Sequence, residues 1–236
     1  MLDKRLSIAL TTFTGGVMLR LHFTPGSFFS RKVRIVLEEK GLPCESRVEG
    51  SSRQRSPDSF SAINPVLKVP VLIDGDLTLF ESDLIIEYLL RKYPGNAPGG
   101  AAPPLAAEMT RVARHWEDAK TLVVINDAAD TMLNLRYWKA NGLAVEAVDY
   151  GRKQQTRFHS CLDWLEQRAT SEGFIPGTFS IQDIALICAL DYVDARGEYL
   201  EGLLEWRGRP RIEAIVARYR ERPSMKATVP GPASKG

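Results

Sequence analysis

Ser27 ends the stretch Thr24-Pro25-Gly26-Ser27, just ahead of a run of helical composition, and Ser82 follows Glu81 just ahead of another. A hydroxyl at such an entrance, together with the unpaired amides of a first helical turn, can hold a negative charge: a carboxylate, or a thiolate if a thiol is brought alongside. Thr24 and Ser30 place two more hydroxyls near the first entrance. Between the serines lies Lys68-Val69-Pro70-Val71, where a proline interrupts an apolar, strand-like run. Each feature also has a plainer role: a serine that only caps its helix, a proline on an edge strand, a lysine in solvent.

Other chemistries find less support. The three cysteines (Cys44, Cys161, Cys188) and three histidines (His22, His115, His159) are scattered, without the paired spacing of a zinc site or a disulfide framework, so no metal is expected and a reducing cytoplasm fits best. A formal net charge of +2 gives no basic surplus for nucleic acid. No apolar run approaches the roughly 20 residues of a membrane span, so no membrane partner is expected.

The elements that must position these residues can be read from the pattern. Leu19 to Phe23 reads as a buried strand. A helix follows, with Val33, Val36 and Leu37 at helical spacing and Gly41 and Pro43 as its stop. Cys44 to Val48 suits a second strand. Val69 to Ile73 and Leu77 to Phe80 flank Asp74-Gly75-Asp76 as a hairpin, and Ser82 then caps a helix reaching about Tyr93. Residues 1–17 read as a flexible extension, with a translation start at Met18 as an expectation that N-terminal sequencing or intact mass tests, and 18–94 as the first domain. The Pro-, Gly- and Ala-rich residues 95–104 suit a linker. From 105 to 223 the composition is helical, over Leu105 to Arg136, Val145 to Arg168, Ile181 to Ala195 and Pro210 to Arg220. Residues 224–236 suit a flexible tail.

Four separated motifs, TPGSFFSRKVRIVLEEKGL, NPVLKVPVL, the Glu81-Ser82 pair and FSIQDIAL, resemble in order and spacing those of the cytosolic glutathione transferase superfamily, bacterial in type, over about Met18 to Pro223. The resemblance implies an α/β plus all-α fold: an N-terminal thioredoxin-like domain followed by an all-helical C-terminal domain. It implies glutathione as co-substrate, a hydrophobic electrophile as second substrate, and a homodimer.

The resemblance also assigns roles. Ser27 matches the position of the serine-type members, where its hydroxyl stabilises the glutathione thiolate; Ser30 and Thr24 are the alternatives. The same position carries cysteine in the redox-active classes, so serine argues against thiol exchange. Pro70 corresponds to a cis-proline that leaves the Val69 backbone free to pair with the peptide. Glu81 meets the ligand ammonium, Ser82 its γ-glutamyl carboxylate, and Lys68 its glycine carboxylate. Phe28 and Phe29 depart from the Ser-Cys pair of zeta-type members. Arg31, Lys32 and Arg34 either draw in an anion or form a solvated helix face, while Trp116, Leu122 and Tyr137 are possible liners of the electrophile pocket. Ser180 and Asp183 have the spacing of a capping box. The resulting expectation is a transferase joining the glutathione sulfur to an electrophilic carbon. The alternatives are a non-catalytic binding or regulatory protein and a glutathione-dependent peroxidase or dehalogenase.

Overall fold

A computed structural model describes residues 18–50 and 57–230. The extension 1–17, the end of the tail at 231–236 and most of the Ser- and Arg-rich stretch after Gly50 lie outside the described residues.

The first half contains β1 (Leu19–Phe23), α1 (Phe28–Lys40), β2 (Cys44–Val48), α2 (Pro57–Ser61), β3 (Val71–Asp74), β4 (Leu77–Phe80) and α3 (Ser82–Lys92). The strand order is β2-β1-β3-β4; β1 and β2 run parallel, while β1–β3 and β3–β4 are antiparallel. A helix joins the parallel β1 and β2, and a two-residue turn joins the antiparallel β3 and β4, as each connection requires. Gly75 supplies the positive φ of that turn, 61°. Leu19, Leu21 and Phe23 alternate onto a buried face that joins Val33 and Val36 of α1 and Ile85, Ile86 and Leu89 of α3 in the core. α1 ends where Gly41 takes φ 62° and its amide turns back to Glu38 and Leu37.

The second half is helical: α4 (His115–Ala140), α5 (Asp149–Glu166), α6 (Ile181–Ala195), α7 (Gly197–Leu200), α8 (Pro210–Tyr219) and α9 (Pro223–Ala227). Twelve of the fifteen residues of α6 are buried, so this helix is the axis around which the others pack. Its capping box is present: the Asp183 amide reaches Ser180 Oγ at 3.1 Å, and the Ser180 amide reaches Asp183 Oδ2 at 3.0 Å.

Two details differ from the sequence reading. The first long helix of this half begins at His115 rather than Leu105 and runs on to Ala140, because Leu105 leaves the chain extended beside Phe179. Residues 224–227, read as the start of a flexible tail, belong to α9 (Pro223–Ala227), which buries Met225. The signals hidden from local pattern were long-range: Arg31 donates to the Met225 carbonyl at 3.2 Å and to Thr228 Oγ1 at 3.3 Å.

Candidate functional site

The chain leaves β1, turns through Thr24 and Pro25, and enters α1 with Ser27 as N-cap. Ser27 Oγ accepts the Ser30 amide at 3.2 Å. That bond occupies a lone pair and leaves the hydroxyl proton to donate outward. No acidic residue stands in the first turn of α1, so no carboxylate there offsets the positive end of the helix. The other two hydroxyls are placed differently. Thr24 Oγ1 donates to the carbonyls of Glu49 and Gly50 at 3.3 and 3.1 Å, while Ser30 is fully buried with an unpartnered Oγ. Ser27 alone of the three combines partial exposure with a proton not spent on the chain.

Across from this entrance the Val69–Pro70 bond is cis. Pro70 is buried, and half-buried Val69 lies just ahead of β3, outside both strand ladders. Lys68 is exposed; its carbonyl accepts Asn64 Nδ2 at 2.7 Å. Burial raises the carboxyl of Asp130 on α4, and the Lys68 ammonium is the foremost charge opposing that rise.

Glu81 makes the turn from β4 into α3 at φ 75° and ψ 118°, a region that costs a side-chain-bearing residue about 1 to 3 kcal/mol. Glu81 is therefore the N-cap, and Ser82, the expected cap, is the buried first residue of the helix. The reversal is completed within one residue, so Ser82 already has helical geometry. The first turn of α3 is tied down by Asp83: Lys32 Nζ of α1 reaches Asp83 Oδ1 at 2.6 Å, and Asn126 Nδ2 of α4 reaches Oδ2 at 2.6 Å. Lys32 also donates to Asn126 Oδ1 at 3.3 Å.

This arrangement corrects the reading of the basic cluster on α1. Arg31 and Lys32 are each 1% exposed, so they neither face solvent nor await an anion. Lys32 closes the triangle just described, and Arg31 pairs with Asp191 of α6 at 2.6 Å. Of the suggested pocket liners, Trp116 is exposed at the start of α4 and Leu122 is in the core, whereas Tyr137 lies beside Arg136 near the far end of α4. The three thiols are protonated at neutral pH: burial pushes Cys44 and Cys161 up to about 11 and Cys188 to about 12. Among the described residues no group of His, Cys, Asp and Glu could hold a metal ion, and no helix is long and apolar enough to cross a membrane.

The profile of the glutathione S-transferase N-terminal domain matches residues 21–97 and that of the C-terminal domain residues 111–218. Mouse glutathione S-transferase theta-3 is 45% identical over 195 residues, covering 79% of this chain and 78% of the relative. The chain belongs to the glutathione S-transferase family. A glutathione transferase family member from Pseudomonas fluorescens Pf-5, solved with bound glutathione, superposes with a TM-score of 0.69 at 26% identity, covering 90% of this chain and 99% of that one. A stringent starvation protein A homolog of Haemophilus ducreyi is 38% identical over 77 residues; the match takes in 33% of this chain and spans only about a third, 35%, of that relative's length.

On the transferase scaffold, the structure brings the α1 entrance, the cis-proline loop and the α3 entrance to the same end of one sheet, since His22 pairs with Val71 and Val71 with Phe80. Sequence reasoning missed the Lys32-Asp83-Asn126 triangle. Asp83 carried one usable signal, an acid in a first helical turn directly after Ser82, but nothing local marks Lys32 or Asn126 as its partners.

Proposed function

We propose that this chain conjugates glutathione to an electrophilic small molecule. The observation that carries the reading is Ser27: a hydroxyl with its proton to give, at the uncompensated amino end of a thirteen-residue helix, in a chain of the glutathione S-transferase family. A thiol of ordinary pKa near 8.5 needs about 2.7 kcal/mol of preferential interaction with its thiolate to ionise two units lower. One charge-assisted hydrogen bond from Ser27 together with the helix field is of that size.

In this reading the Val69 backbone pairs with the extended tripeptide beside Pro70. Ser82 and the α3 amides take its γ-glutamyl carboxylate, Glu81 its ammonium and Lys68 its glycine carboxylate. The thiol proton passes to solvent. The thiolate sulfur then bonds to the electrophilic carbon as the leaving group departs with the bonding pair, giving conjugate, proton and anion.

The test is turnover of an activated aryl halide as a function of pH. Ser27→Ala is expected to lower kcat/KM by about 100-fold and move the rise of activity upward by one to two pH units. An unchanged pH profile would remove Ser27 from the chemistry. The likeness to stringent starvation protein A homologs favours a second reading, a binding or regulatory protein, which predicts a stable glutathione complex without turnover. A homodimer belongs to the first reading: Leu77 and Leu84 of the sheet domain and Val123 of α4 are exposed apolar side chains, and sedimentation at twice the chain mass is expected.

A further inference from the structure

Two arginines stand near Tyr192 of α6: Arg196, which links α6 to α7 beside the α1 entrance, and Arg136 of α4. A Cβ built on Gly26, the residue before Ser27, would lie 2.7 Å from Arg196 Nη2, so this guanidinium rests directly on the backbone beside the candidate thiol site. Arg196 is buried, and its Cζ stands 5.0 Å from the ring of Tyr192, which in turn packs edge-on at 5.2 Å against Phe28 of α1. Arg136 approaches the same group from α4: its Cζ is 5.1 Å from the Tyr137 ring and 5.3 Å from that of Tyr199.

Arg136 is only partly buried, and it is placed unlike the buried cations. Arg31, Lys32 and Arg222 each have a carboxylate partner, whereas Arg136 has no ion pair among the described residues and its buried Nε has no hydrogen-bond partner. Removing a guanidinium N–H from water without an acceptor is unfavourable, and a bound anion corrects it. Both guanidiniums act on Tyr192: burial raises its phenol, and the positive charges of Arg136 and Arg196 oppose the rise. The group packed against Gly26 and Phe28, on either side of Ser27, is therefore aromatic and cationic together, which fits a flat molecule bearing a negative charge better than a purely apolar one.

We propose that the electrophile accepted at this site carries a carboxylate, held by Arg136 and Arg196 while its apolar body lies against Tyr192 and Tyr199. The inference rests on the glutathione transfer reading and narrows its second substrate from a hydrophobic electrophile to an anionic one. The carboxylate is a spectator: sulfur attacks the activated carbon elsewhere in the molecule, and the charge serves only to orient it.

Calorimetric titration of the full chain with three stable conjugates tests the inference apart from turnover. S-methylglutathione probes the tripeptide site alone, S-benzylglutathione adds an apolar ring, and S-(4-carboxybenzyl)glutathione adds the charge. The carboxybenzyl conjugate is expected to bind at least about tenfold tighter than the benzyl conjugate, as for a charge-assisted contact. Arg136→Met should bring the two within about twofold, and Arg136→Lys, which keeps the charge and tests whether loss of folding explains the effect, should retain part of the difference. Equal affinities in the parent protein overturn the proposal. So does equal weakening of all three conjugates in Arg136→Met, because the arginine then serves the tripeptide. If S-methylglutathione itself does not bind, the transfer reading fails first and this inference fails with it.

Discussion

Glu81 holds a backbone conformation that suits glycine better than glutamate, with φ at 75°. The usual ranking of substitutions is therefore inverted here. Glu81→Gly is expected to be more stable than Glu81→Ala by about 1 kcal/mol, since alanine keeps the unfavourable conformation without the side chain that justified it. Denaturant unfolding of the two variants checks this, and equal midpoints would count against strain at the turn. Retaining glutamate despite that cost is consistent with a ligand contact from its side chain, the role proposed above. Ser27 shows the complementary economy: one oxygen accepts the Ser30 amide and still has a proton to donate, so capping the helix and serving an anion do not compete.

At the scale of the element, α6 depends on Asp183. This carboxyl accepts the amides of Phe174 and Ser180, each at 3.0 Å, and the Ser180 hydroxyl at 2.6 Å, inside the protein. Burial nevertheless pushes it up to about 6, outweighing hydrogen bonds that favour the charged form. With a folded value above the ordinary one near 4, the native state binds more protons than the unfolded chain between about pH 4 and 6. Asp183 thus makes the protein less stable as pH rises through that window, by an amount on the order of 3 kcal/mol. Asp183→Asn is expected to remove this slope while lowering overall stability through loss of an acceptor. Unfolding free energies at several pH values separate the slope from the offset. The loop that feeds the cap is equally constrained: Gly173 has φ 121°, and a Cβ there would lie 2.8 Å from Asp183 Oδ2.

The two halves of the molecule are joined by buried ion pairs. Arg31 of α1 meets Asp191 of α6, which also receives Arg220. Glu39 of α1 pairs with Arg222 at 2.6 Å, both side chains being under a tenth exposed, and Ser224 donates to the same carboxylate. Removing one partner of such a pair leaves a buried charge uncompensated, so Arg222→Ala is expected to cost about 3 to 5 kcal/mol in denaturant unfolding. Replacing Glu39 and Arg222 together by leucine should recover much of that loss, because the interior then has no charge left to solvate. Failure of the double variant to recover would locate the cost in packing of α9 rather than in charge.

Much of this protein was legible from local pattern. Alternation and spacing of apolar residues marked β1, α1, the β3–β4 hairpin and α6, and the Ser180-Asp183 spacing announced the capping box, because each depends on neighbours within a few positions. Ser27 at a helix entrance was legible for the same reason. The partners of charges were not: Arg31, Lys32 and Glu39 look like surface residues of an amphipathic helix, and only the arrival of Asp191, Asp83 and Arg222 from distant segments makes their burial tolerable. Likewise, Arg136 of α4 and Arg196, between α6 and α7, lie 60 residues apart in the chain, so their convergence near Tyr192 is a property of packing alone. Short-range periodicity fixes where helices and strands form; which charges share one low-dielectric space is decided only when those elements are packed together.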